Sequence, residues 1–132
     1  MAFSVKGYSQ DRGVFPLSEL LNRTCEEFGD RPVMRTWAGR DTYTEITYNE
    51  LRDRVNALAS WLIESGIRKG DRVGVLGENG PDWSTVYLAV HVAGAVVVPV
   101  DRLMPSSGIR HIVSDSGARL LFVSPTYRDV LE

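Results

Sequence analysis

The amino-acid sequence predicts an α/β fold: a mainly parallel sheet with flanking helices, a three-layer fragment preceded by one helix and a small hairpin. Three observations predict it. Asp71 to Leu76, Ala95 to Val100 and Leu120 to Val123 are short Val- and Leu-rich runs, nearly continuous in apolar character as strands buried on both faces must be. Helical patterns from Pro81 to Val92 and from about Ser106 to Ser116 lie between them. Strand, helix, strand, helix, strand at this spacing reads as right-handed βαβ crossovers that lay the strands parallel.

Each element has its own local reason. Met1 to Phe15 carry Lys6, Asp11 and Arg12 among small and polar residues, so they offer no apolar core for a secretory leader. From Pro16 to Phe28, Leu17, Leu20, Leu21, Cys25 and Phe28 recur at helical spacing opposite Glu19, Arg23, Glu26 and Glu27, which predicts an amphipathic helix ending near Gly29. Val33 to Trp37 and Tyr43 to Thr47 are β-prone runs around the turn-like Ala38-Gly39-Arg40-Asp41, the pattern of a hairpin. Thr47-Tyr48-Asn49-Glu50 is a capping box. A helix therefore starts here, continues through Leu51, Val55, Leu58 and Leu62, and stops where Gly66 can take a left-handed conformation. Ser124-Pro125 looks like the N-cap and first position of another helix, which the chain barely begins. With no repeat, low-complexity tract or linker, residues 1–132 read as one domain whose sheet is incomplete. Its last strand exposes an edge that another segment, or a second copy, would cover.

Composition narrows the function classes. A chain of 132 residues with 43% hydrophobic and 24% charged residues is a globular domain that buries about two-thirds of its unfolded surface. Fifteen Lys plus Arg against seventeen Asp plus Glu leave a formal charge of −2, which is no electrostatic footprint for nucleic acid. Cys25 is the one cysteine, so neither an internal disulfide nor a CxxC pair is available, and a cytoplasmic compartment fits best. The longest apolar run, Ala93 to Val100, is far short of the roughly 18 residues of a membrane span.

The segment that most invites a ligand is Arg72-Val-Gly-Val-Leu-Gly-Glu-Asn-Gly-Pro-Asp82, a strand passing through glycines into a helix. Asp101 lies about twenty residues onward, where a dinucleotide fold keeps its ribose-binding acid. The spacing argues against that use, because Gly74, Gly77 and Gly80 read G-x-x-G-x-x-G rather than G-x-G-x-x-G. Glu78 and Asp82 put carboxylates at the helix N-terminus, and Pro81 removes an amide donor. A tight, acid-capped turn is the expectation. His91 and His111 have no second His or Cys at i,i+4, which predicts structural histidines, satisfied or exposed, and no metal pair. No Ser sits in a G-x-S-x-G elbow. Trp37, Trp61 and Trp83 are dispersed and lack interleaved basic residues, so packing is their expected role. Cys25 falls on an apolar face, a small buried hydrophobe rather than a reactive thiolate. Lys6 and Lys69 stand in no catalytic setting. No catalytic, cofactor-binding or metal residue is assigned.

From about Leu17 onward the chain resembles the N-terminal portion of AMP-forming acyl-CoA synthetases, in the adenylate-forming superfamily. Ile46-Thr-Tyr-Asn-Glu-Leu51, Gly70-Asp-Arg-Val-Gly-Val-Leu-Gly-Glu-Asn-Gly-Pro-Asp-Trp83, Ala93-Gly-Ala-Val-Val-Val-Pro-Val-Asp101 and Asp115-Ser-Gly-Ala-Arg-Leu-Leu-Phe-Val-Ser124 carry the resemblance, in order and at the right spacing. Gly77-Glu-Asn-Gly-Pro-Asp-Trp83 is most similar to long-chain fatty acid-CoA ligases, while aryl-activating branches share much of it. Gly80, His91-Val92 and Pro105-Ser-Ser-Gly-Ile109 depart from the usual pattern. The resemblance implies a carboxylate that attacks the α-phosphate of ATP with loss of pyrophosphate, and a coenzyme A thiol that then displaces AMP. It implies ATP, magnesium and coenzyme A for the whole enzyme and none of them for this piece. The implied partners are the remainder of the same polypeptide and a fatty acid. The implied location is the cytoplasm, peripheral to membrane in the full-length enzyme. The piece alone is expected to be inactive scaffolding. The competing expectation is a stand-alone Rossmann-like or flavodoxin-like module that binds a nucleotide or assembles through its open edge.

Overall fold

The longest helix starts where its capping box permits. The Glu50 N–H donates to Thr47 Oγ1 at 3.2 Å, and the Thr47 N–H donates to Glu50 Oε2 at 2.8 Å, so two otherwise orphaned amides are satisfied. This helix, α2 (Tyr48–Glu64), buries Leu51, Val55, Ala59 and Leu62 along one stripe and leaves the chain at Gly66, whose φ is +91°. In this computed structural model, which describes residues 16–131, the other elements fall around it in sequence order. They are α1 (Leu17–Phe28), β1 (Pro32–Gly39), β2 (Thr42–Thr47), β3 (Arg72–Leu76), α3 (Pro81–Val92), β4 (Val96–Pro99), α4 (Ser106–Ser116), β5 (Leu120–Val123) and a 3-10 helix over Pro125–Leu131. The leader reading of Met1 to Phe15, with Lys6, lies outside the described residues.

Two sheets form. β1 and β2 pair antiparallel with Trp37 opposite Tyr43 and Arg35 opposite Glu45. β3, β4 and β5 form the expected parallel sheet in the order β4-β3-β5. Val73 pairs with Val97 on one side and with Leu120 on the other. Alternation along these strands sends Val73, Val97, Leu120 and Phe122 to a core shared with α1, α2 and α3. Leu76, Val100, Leu121 and Val123 go to a second core under α4 and the 3-10 helix, centred on the fully buried Ile109. This is the three-layer arrangement of helices, sheet and helix. Among the described residues no helix is long and apolar enough to cross a membrane.

Gly74 shows how tightly the layers close. A Cβ there would stand 2.5 Å from Leu121 Cδ1, so the central strand has a glycine where its neighbour's leucine lies across it. At the strand entrances, Asp71 Oδ2 accepts from the Arg68 N–H at 2.7 Å and from Arg119 Nη1 at 2.6 Å. Arg72 Nε donates to the Ser116 carbonyl at 2.9 Å, tying β3 to the end of α4. The segment after Ser124 corrects one local expectation: it winds as a 3-10 helix, with the Tyr127 N–H donating to the Ser124 carbonyl at 2.9 Å.

Candidate functional site

Strand order creates a place where a ligand-sized crevice is expected. β3 leads to α3 on one face of the sheet, and its neighbour β5 leads to the 3-10 helix on the face of α4. Chains that leave adjacent strand ends toward opposite faces part from each other, and open α/β sheets bind ligands in the gap. A crevice of about 360 Å³ lies there, between the Gly77-Glu78-Asn79-Gly80 turn and Ser124-Pro125. Val75, Val86, Phe122 and Trp83 supply its apolar wall, and Glu78, Asn79 and Asp82 its polar rim.

Gly77 sets the spacing of the two turns. A Cβ at this position would lie 3.3 Å from Ser124 Cβ and 3.9 Å from Trp83 Cδ1, within the space the crevice occupies. Gly80, the N-cap of α3, contributes no side-chain cap, and Pro81 begins the helix without an N–H to offer. Trp83 is stacked on Tyr87, with ring centroids 5.2 Å apart and planes inclined by 19°. Across the gap, the side chains of Ser124 and Thr126 hydrogen-bond the Glu78 carboxylate. These two bonds, the residue's own backbone N–H and the nearby Arg102 charge hold its carboxyl below the usual glutamate range, against a smaller opposing effect of desolvation. Arg102 also donates to Tyr127 Oη at 3.2 Å, which ties the end of β4 to the 3-10 helix.

The glycine-rich turn and its acids are thus brought together, whereas other sequence candidates are not. Asp101 is at the end of β4, on the far side of β3 from the crevice, and accepts from the Leu103 N–H at 2.9 Å. His111 is exposed on α4. His91 sits edge-on to Tyr87 at 4.9 Å with its Nε2 buried and without a hydrogen-bond partner, so it is neither satisfied nor exposed, as a structural histidine was expected to be. Among the described residues no group of three or more His, Cys, Asp or Glu is placed to hold a metal ion. Cys25 is buried as expected, donates to the Tyr48 carbonyl at 3.2 Å, and has its thiol pushed up chiefly by desolvation. Trp61 packs edge-on to Phe122, while Trp37 stays 56% exposed beside Tyr43 and belongs to no core. Sequence reasoning missed Phe122, Ser124 and Thr126. The only signal for them was Gly77, a residue whose missing side chain implies a close neighbour.

The phosphates implied by the resemblance do not fit this crevice. Glu78 and Asp82 line it beside the start of α3, where Pro81 removes one amide donor, and an arriving phosphate would meet two carboxylates. No step of phosphate chemistry is derived from these residues.

Residues 21–132 match the sequence profile of the family described as AMP-binding enzyme. Surfactin synthase subunit 1 of Bacillus subtilis (strain 168) is 40% identical over 103 residues, covering 78% of this chain and 3% of that protein. Feruloyl-CoA synthase of an Amycolatopsis species is 39% identical over 88 residues, covering 67% of this chain and 18% of that protein. A solved structure from Rhodopseudomonas palustris CGA009, provisionally named a long-chain-fatty-acid CoA ligase, superposes with a TM-score of 0.80 at 26% identity. That superposition covers 89% of this chain and 28% of the other. The chain thus spans less than a third of each of these relatives.

Proposed function

The chain belongs to the AMP-binding enzyme family, and from that premise we propose that it is the N-terminal subdomain of an ATP-dependent, AMP-forming fatty acyl-CoA synthetase. The observation that carries this reading is the unbroken family match over residues 21–132, which takes in every element from the end of α1's first turn onward. The fatty acid assignment draws on Gly77-Glu-Asn-Gly-Pro-Asp-Trp83 and on the fold shared with the Rhodopseudomonas protein. The proposed reaction forms a bond between a carboxylate oxygen and the α-phosphorus of ATP with pyrophosphate leaving; the coenzyme A sulfur then replaces AMP at the acyl carbon. Magnesium would offset charge on the phosphates in the first step.

In this proposal residues 1–132 serve as a scaffold in the cytoplasm. Their partner is the remainder of the same polypeptide, which holds the groups that touch ATP and coenzyme A. What these residues do themselves is mechanical: Gly74 and Gly77 let layers and turns close, and Glu78 clamps the β3 and β5 ends together through Ser124 and Thr126. The test is the reading frame carried beyond Glu132 and expressed whole, given ATP, magnesium and coenzyme A. Palmitate is expected to drive pyrophosphate release well above ferulate, and the 132-residue chain alone is expected to release none. A stop codon after Glu132, turnover by the short chain, or a preference for ferulate would each sink the corresponding part of the proposal.

A further inference from the structure

We propose that the crevice between the Gly77–Gly80 turn and Ser124–Pro125 is a binding site for an uncharged aryl group of a small molecule, and that it turns anions away. The proposal stands on the crevice itself and goes beyond the role of scaffold.

Three features argue for an aryl group. The wall combines two flat rings, Trp83 and Phe122, with the branched side chains Val75 and Val86, so a ligand ring meets both π faces and aliphatic surface. Trp83 is fixed by its stack on Tyr87, and Phe122 by the Trp61 ring at 6.2 Å, so little side-chain freedom is lost when a ligand arrives. The volume, about 360 Å³, is at the small end for ligand pockets, which suits one ring system. Gly77 keeps that volume open, since a Cβ there would approach Ser124 and Trp83.

The rim sets the charge preference. Glu78 is held in place by the Ser124 and Thr126 hydroxyls, so it cannot swing away from an incoming group without losing both bonds. Asp82 stands in the first turn of α3, and Pro81 withholds the amide that an anion would use. A carboxylate or phosphate in the crevice therefore faces two like charges, offset only in part by Arg102, which Glu78 and Tyr127 already engage, and by the uncapped first amides of α3, whereas an uncharged group meets no such repulsion.

The experiment uses the 132-residue chain and its three indole N–H signals, with the Trp83 signal identified from Trp83→Phe. Benzyl alcohol, benzoate and cyclohexylmethanol are titrated in turn at neutral pH. Benzyl alcohol should shift the Trp83 signal saturably and leave that of the distant Trp37 in place. Benzoate should bind at least 10-fold more weakly, and Asp82→Asn, an exposed change at the rim, should narrow that gap. Cyclohexylmethanol should bind several-fold more weakly than benzyl alcohol. Gly77→Ala should weaken benzyl alcohol, with retained slow hydrogen exchange of the β3 amides reporting an intact fold. No saturable shift at Trp83, or benzoate binding as well as benzyl alcohol, overturns the proposal. Equal binding of cyclohexylmethanol overturns the aryl preference. Because the readout needs no turnover, either result leaves the acid-activation reading to its own test.

Discussion

Asp71 shows what one carboxylate does at the entrance of the central strand. Its oxygen accepts from the Arg68 N–H and from Arg119, and the backbone bond is the largest cause of a carboxyl held below the usual aspartate range. The ionised form is therefore favoured more by the folded chain than by the unfolded one. That contribution is fully present above the unfolded pKa of about 3.9 and is lost as pH falls through the lower folded value. Asp71→Asn is thus expected to lower the urea midpoint at pH 7 with an unchanged slope. The gap from the parent chain should close as the pH is taken below about 4; a gap independent of pH would mean the charge is immaterial. At this same scale the sequence was only partly legible. Glu78 and Asp82 were recognisable as acids opposed to a phosphate because they adjoin a helix start. Ser124 and Thr126 were not, because what makes them relevant is a strand pairing 47 residues away in the case of Val73 and Leu120.

Helices and strands were the most readable level, for reasons that lie in short stretches of chain. α3, α4 and β5 occupy the spans expected of them, since Pro81, Pro105 and the run Leu120 to Val123 mark their own boundaries. α2 begins at its capping box, and removing that cap tests how much it matters. Thr47→Ala should cost about 1 kcal/mol of unfolding free energy by urea titration. Thr47→Ser, which keeps the acceptor, should cost only a small part of this. The hairpin was placed correctly but extends further, from Pro32 to Gly39 and from Thr42 to Thr47, because Arg40 and Asp41 both adopt positive φ and tighten the turn. The closing segment was legible as helical and not as 3-10, since a Ser-Pro start is compatible with either. Asp101 shows a different limit: its distance along the chain could not tell that it lies at the end of β4, on the other side of the central strand from the crevice. Nothing in a single sequence announces that order.

Across the whole molecule, protection is concentrated in the middle. β3 is paired on both sides and Val73, Val75 and Leu76 are almost wholly buried, whereas β4 and β5 each leave one side unpaired and the hairpin rests mainly on its own two strands. Hydrogen exchange should accordingly rank the amides of β3 and the buried stripe of α2 as slowest, β4 and β5 as intermediate, and the hairpin tip around Arg40 as fastest. Rapid exchange in β3 would contradict this packing. Strand order also has a bearing on synthesis. Residues emerge from the ribosome in the order β3, β4, β5, but the middle strand is the first of these made. Its second side, and the Gly74 gap that Leu121 fills, stay open until some forty-seven further residues have been added, as the Val73 and Leu120 pairing requires. The nascent chain must therefore carry an exposed, Val-rich strand edge through that interval, which makes this stretch of translation the moment at which a chaperone has the most to protect.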